Sequence, residues 1–168
     1  MIHIYTGNGK GKTTAGIGLC IRCSGYNKKV AVFQFLKTSS CGEYKALHDK
    51  FDFYYSDTEF GFVYNMTDDE KQIAHSSTYR LFLQFIELCD DYDIVMLDEV
   101  ISAVNVGFID IKYLLSVAEK FKTMNKELIL TGRDPSDKLV NVADYVSEIK
   151  SVKHPYDFNV QAREGIEF

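Results

Sequence analysis

Hydrophobic positions along this chain follow two alternating rhythms. The runs IHIYT (2–6), KVAVFQFL (29–36), DIVMLDE (93–99) and ELILTG (127–132) are apolar and β-branched or aromatic almost without interruption. All four predict strands, and KVAVFQFL and DIVMLDE predict strands buried within a sheet. FDFYY (51–55) predicts a shorter extended piece, and DYVSEIKSVKH (144–154) a last strand with an exposed end. Helical spacings lie between them. A helix is expected over about 13–25, through AGIGLCIRCSGY. Thr67 with Glu70 forms a T-D-D-E capping box that opens a long helix to about residue 89. Its apolar positions are Leu81, Phe82, Phe85, Ile86 and Cys89. Ile111, Leu114, Leu115, Ala118 and Phe121 predict another amphipathic helix, and Asp134 before Pro135 a further helix start. Strands alternating with helices mean parallel βαβ units. The expected class is α/β, with a mostly parallel central sheet and helices on both faces.

Composition narrows the picture. At 168 residues the chain is expected to form one domain, and 46% hydrophobic residues with only 2 Pro exclude a disordered or collagen-like chain. Lys and Arg total 19 against 24 Asp and Glu, a net charge of −5. That balance argues against a nucleic-acid partner, which needs a broad basic face. Any bound anion must be held by local geometry. No apolar run reaches membrane-spanning length and no signal-peptide core precedes the first charges, so a cytoplasmic protein is expected. Cys20 and Cys23 form a CxxC, but they lie inside the predicted apolar helix and no second CxxC exists. Buried thiols acting as small hydrophobes are the favoured reading.

The strongest chemical signal is TGNGKGKTT, residues 6–14. Gly11-Lys12-Thr13 fit the end of the phosphate-loop pattern G-x-x-x-x-G-K-[ST], whereas Thr6 takes the opening Gly position. Between a strand and a helix, Gly7, Gly9 and Gly11 let successive amides turn inward as an anion nest, with Asn8 and Lys10 between them. The helix N-terminus, entered through Thr14, adds its positive end. Lys12 supplies a point charge to phosphate, and Thr13 a hydroxyl to Mg²⁺. Asp98 and Glu99 place two carboxylates at the carboxyl end of a central strand, where ligands of open α/β sheets bind. Either can hold Mg²⁺ in hard oxygen coordination. By themselves these parts serve ATPases, kinases and transferases alike.

Four further segments are QFLK (34–37), LTGR (130–133), ADYVSEI (143–149) and KHPYDFNVQAREGIEF (153–168). Together with GNGKGKTT and VMLDE, in this order, they resemble the ATP:corrinoid adenosyltransferase family of the cobalamin-adenosylating type, over the whole chain. The resemblance implies a RecA-like P-loop fold, a homodimer, and transfer of the 5′-deoxyadenosyl group of ATP to the Co(I) of a reduced corrinoid with release of triphosphate. It implies that residues 7–14 hold the triphosphate, that Lys12 neutralises it, and that Thr13 with Asp98 or Glu99 holds Mg²⁺. Arg22 matches a family position near the nucleotide. An electron-donating reductase, such as a flavoprotein, would supply the reduced corrinoid. Co(I) brings its own electron pair and no proton, so no general base is required.

In EFGFVYN (59–65), Phe62 matches a family Phe that crowds the lower face of the corrinoid, and Tyr64 takes the place of a family Trp; the chain has no Trp. Longer family members carry a segment before the first strand that helps cover the site, whereas here the strand follows Met1 at once. Asn159 stands where a Gly is common, a mild change because Asn tolerates a left-handed backbone. His154 belongs to the KH motif without an assigned role. Two rival readings remain open: a P-loop ATPase or small-molecule kinase with Glu99 as base, and a non-catalytic nucleotide-dependent corrinoid carrier.

Overall fold

A computed structural model describes residues 1–37, 41–56 and 66–166. Six strands, β1 (Ile2–Thr6), β2 (Val30–Gln34), β3 (Asp52–Tyr55), β4 (Ile94–Asp98), β5 (Glu127–Thr131) and β6 (Tyr145–Glu148), form one sheet in the order β3-β2-β4-β5-β1-β6. Every neighbouring pair is parallel. The helices are α1 (Lys12–Ser24), α2 (Gly42–Leu47), α3 (Asp68–Leu88), α4 (Val100–Asn105), α5 (Ile111–Thr123) and α6 (Asp137–Val142).

Alternation along the strands divides the core between the two faces of the sheet. In β4, Ile94 and Met96 join Ile17 and Cys20 of α1, while Val95 and Leu97 join Phe82 and Phe85 of α3 and Leu114 and Phe121 of α5. Central strands β2 and β4 are buried at every position, which is why their sequences read as apolar runs up to their last residues, Gln34 and Asp98. Gly16 lets α1 lie close on β4, since a Cβ there would stand 2.6 Å from the Met96 methyl carbon.

The capping box is present: Glu70 N donates to Thr67 Oγ1 at 3.3 Å and Thr67 N to Glu70 Oε2 at 2.7 Å. Three expectations need correction. Ile86 lies outside the buried stripe of α3 and is 39% exposed. The last strand is only Tyr145–Glu148, because the chain leaves the sheet where it meets the loop after β1. The sixth helix starts at Asp137 with Ser136 at its N-cap, because Asp134 takes a left-handed turn (φ 50°) instead of opening it. Asn159 does adopt the left-handed backbone expected of it (φ 59°), and His154 caps the turn Pro155–Phe158 by accepting from Tyr156 N. No helix among the described residues is long and apolar enough to cross a membrane.

Candidate active site

The loop after β1 is tied down by the chain leaving the neighbouring edge strand, β6. Gly9 N donates to Ile149 O at 2.8 Å, and Ser151 N donates to Asn8 Oδ1 at 2.9 Å. A Cβ on Gly9 would lie 2.7 Å from the Lys150 carbonyl carbon, so this glycine is required by the backbone packed beside it. Gly7 is packed the same way against Ile149, whereas Gly11 faces open space. The three glycines expected to make one anion nest therefore divide their work: two dock the loop and one, at the helix N-cap with φ 117°, opens it. The tail of the chain also reaches this loop, with Lys10 Nζ donating to Ile166 O.

Lys12 and Thr13 begin α1 and point toward the end of β4. Lys12 is buried, its Nζ donating to Gly9 O at 2.9 Å. Burial lowers its pKa; the Glu99 carboxylate opposes this, and Arg133 and Lys37 push it further down. Thr13 Oγ1 donates to Asp98 Oδ1 at 2.9 Å. Asp98 has no exposed surface and also accepts from Thr131 Oγ1 at 2.6 Å and Lys37 Nζ at 2.7 Å. Thr131 in turn accepts from Glu99 N at 2.8 Å. Glu99 is left-handed (φ 59°), a strained conformation for a residue with a side chain, and its Oε2 accepts from Ser102 Oγ at 2.6 Å.

The fold thus brings Gly7, Asn8, Gly9, Lys10, Gly11, Lys12, Thr13 and Thr14 to the carboxyl edge of the sheet together with Asp98 and Glu99. It does not bring Arg22 there: ten residues further along α1, it lies roughly 15 Å down the axis from Lys12 and is exposed. Phe62 and Tyr64 lie outside the described residues. Cys20 is buried, and burial pushes its thiol up to about 12.

Neither Lys37 nor Thr131 stands out in the sequence as a site residue. QFLK and LTGR were recognisable as segments, but nothing local shows that a lysine beyond β2 turns back onto β4. It does so because Leu36 is left-handed (φ 55°). The ammonium lies 2.7 Å from Asp98 Oδ2 and 3.0 Å from Thr13 Oγ1. Burial works to lower the Lys37 pKa, but the Asp98 charge and hydrogen bond, with Glu99 and Glu43, outweigh it and raise the value. Gln34, in register with Asp98, is fully buried, and its Nε2 has no partner among the described residues.

A parallel sheet with a glycine-rich loop after its first strand, a lysine and threonine opening the next helix, and a buried carboxylate facing them define a P-loop α/β protein. The backbone is similar to that of the KaiC-like protein PH0186 from Pyrococcus horikoshii OT3, with a TM-score of 0.53 over 98% of this chain and 74% of that one; at 13% identity the likeness is one of fold. The sequence is 31% identical to a corrinoid adenosyltransferase of Sinorhizobium sp, over all of this chain and 80% of that protein. It is 30% identical to corrinoid adenosyltransferase CobA of Salmonella typhimurium, over all of this chain and 85% of that protein. The profile of the ATP:corrinoid adenosyltransferase BtuR/CobO/CobP family matches residues 1–168, and the chain belongs to that family.

Proposed function

We propose that the loop at residues 6–14 seats the triphosphate of ATP as a leaving group while the 5′-deoxyadenosyl group passes to the Co(I) of a reduced corrinoid. The cobalt electron pair forms the Co–C5′ bond, the C5′–O bond breaks, and its electrons leave on triphosphate. No proton changes hands. The chain's task is to position the sugar carbon and stabilise the departing charge. Lys10 and Lys12 stand on the loop and Lys37 beside it. The convergence of the Lys12 and Lys37 ammonium groups on one sheet edge, with Arg133 near enough to act on Lys12, in a chain of net charge −5, is the observation that carries the reading. Glu99, the base of the rival hydrolase reading, is engaged by Ser102 Oγ.

Mg²⁺ fits the same place. Thr13, Asp98 and Glu99 offer hard oxygens, and a cation, the Lys37 ammonium, already lies between the first two. Among the described residues no cluster of three or more His, Cys, Asp or Glu could hold a metal, so the nucleotide and water would complete its ligands. When bound, the ion supplies further neutralisation of the polyphosphate. Phe62 and Tyr64 are the corrinoid-facing pair of this reading. A homodimer is supported by the exposed edge strand β6, with Tyr145 and Val146, and by the exposed Tyr156 and Phe158 beyond it. A flavoprotein reductase would keep the cobalt reduced, and a cytoplasmic setting goes with that supply.

Incubation with ATP, Mg²⁺ and chemically reduced cobalamin tests the proposal. A visible spectrum of an alkylcobalt with stoichiometric triphosphate is expected. ADP and phosphate as the products, abolished by Glu99→Gln, would establish the hydrolase or kinase reading. Binding of both ligands without turnover would establish the carrier.

A further inference from the structure

The Lys37 ammonium occupies a position that a metal ion would need. It contacts Asp98 Oδ2 at 2.7 Å and Thr13 Oγ1 at 3.0 Å, and those two side chains are themselves bonded at 2.9 Å, closing a triangle. An Mg²⁺ ion held by the same oxygens would need the space that the ammonium fills, so the two would exclude one another there. Asp98 is fully buried, and a buried carboxylate without a compensating charge is strongly unfavourable. A simple ion pair with Asp98 would not require contact with Thr13. The backbone is bent to produce that contact: Phe35 N makes a last ladder bond to Asp98 O at 2.9 Å, and left-handed Leu36 then turns the chain back. Nor is the ammonium sealed in, since the Lys37 side chain is 31% exposed.

We infer that Lys37 is the resident cation of the nucleotide-free site: it holds Thr13 and Asp98 in place of a divalent metal and is displaced when metal enters with polyphosphate. Metal binding is thereby conditional on nucleotide. Asp98 is compensated in both states, and the released ammonium is left beside the incoming phosphates. The inference rests on the Mg²⁺ reading above.

The test uses nucleotide-free wild type, Lys37→Met and Lys37→Gln, the second in case the first does not fold. Thermal melts with and without Mg²⁺ are combined with Mn²⁺ titrations followed by electron paramagnetic resonance. Wild type should show no response of its melting temperature to millimolar Mg²⁺. The variants should melt several degrees lower without metal, recover on adding Mg²⁺, and bind Mn²⁺ about tenfold more tightly than wild type. Adding Asp98→Asn to either variant should remove that binding. Folded variants that ignore Mg²⁺ and bind Mn²⁺ no more tightly than wild type would overturn the inference. A parallel titration with Mn²⁺ and ATP separates the two ideas. If Asp98→Asn weakens Mn²⁺ uptake there while the lysine variants stay silent, the lysine inference alone falls. If it changes nothing with ATP, the metal reading falls too.

Discussion

Thr131 and Asp98 are bound side chain to side chain, the Thr131 hydroxyl donating to Asp98 Oδ1 at 2.6 Å and accepting from the amide of Glu99 at 2.8 Å. One hydroxyl on β5 therefore orients both acidic residues at the end of β4. Thr131→Val keeps the shape and removes the hydroxyl, leaving the part-buried Glu99 amide without that acceptor and the buried carboxylate with one donor fewer. The expected loss is about 1–3 kcal/mol in a denaturant melt, together with weaker uptake of Mg²⁺ and ATP in a calorimetric titration. Thr131→Ser should recover most of both. If Thr131→Val bound Mg²⁺ and ATP like wild type, the hydroxyl would have no part in arranging the acids.

The loop glycines separate into two kinds of failure. Gly9→Ala pushes a Cβ against the Lys150 carbonyl carbon, 2.7 Å away, and threatens the bond from Gly9 N to Ile149 O. Gly11→Ala meets no atom within 4 Å, but forces an L residue to φ 117°. The first should undock the loop, seen as faster hydrogen exchange at the residue 9 amide and weakened ATP binding. The second should cost about 1–3 kcal/mol of stability from backbone strain alone, with the residue 9 amide still protected. Equal exchange in the two variants would mean that β6 does not hold the loop.

The parts legible in the sequence were those set by local rules. Strand runs, the Thr67–Glu70 box and the loop-to-helix transition at Gly11-Lys12-Thr13 each follow from composition or spacing within a few residues. The placement of the VMLDE acids at the end of a buried strand was legible because a buried strand ending in carboxylates is itself unusual. Lys37 escaped because its role depends on a left-handed Leu36, which no propensity favours, and on β2 lying beside β4, which is a pairing of distant segments. The docking of Gly9 on Ile149 is likewise a contact across 140 residues. Arg22 is a case where position in the helix decides only part of the matter: helix rise sets it roughly 15 Å along α1 from Lys12, away from the phosphate loop itself.

Acid should weaken the seam that carries β6 to the loop. Asp144, just before β6, accepts from Ile2 N at 2.7 Å and pairs with Lys122 at 3.3 Å. The Ile2 amide foremost, aided by Lys122, holds its carboxyl below the ordinary range against the opposing effect of burial. A lowered pKa means that the ionised form is favoured by folding. Its stabilisation is therefore complete above the unfolded value near ~3.9 and is lost as pH falls through the lower folded value. Asp144→Asn keeps an acceptor oxygen and removes the charge. Its deficit relative to wild type should be constant from neutral pH to about 5 and shrink below about 4. A deficit that grows on acidification would contradict the assignment.

Lys12 offers the sharpest contrast between stability and function. Its ammonium is buried with Gly9 O as its hydrogen-bond acceptor at 2.9 Å, and burial lowers its pKa, so folding disfavours its charge. A group placed against its own preference should be dispensable to the fold. Lys12→Met is expected to melt at or slightly above the wild-type temperature. The same substitution removes charge-assisted bonds to phosphate, a loss of about 1.5–3 kcal/mol in ATP binding, or roughly 10- to 150-fold in affinity. Turnover should fall further, because charge on triphosphate grows as the C5′–O bond breaks and a stabilising cation counts most at that moment. Melting curves, ATP calorimetry and the rate of alkylcobalt formation check the three parts. Near-normal turnover in Lys12→Met would remove Lys12 from the site, whatever the melt showed.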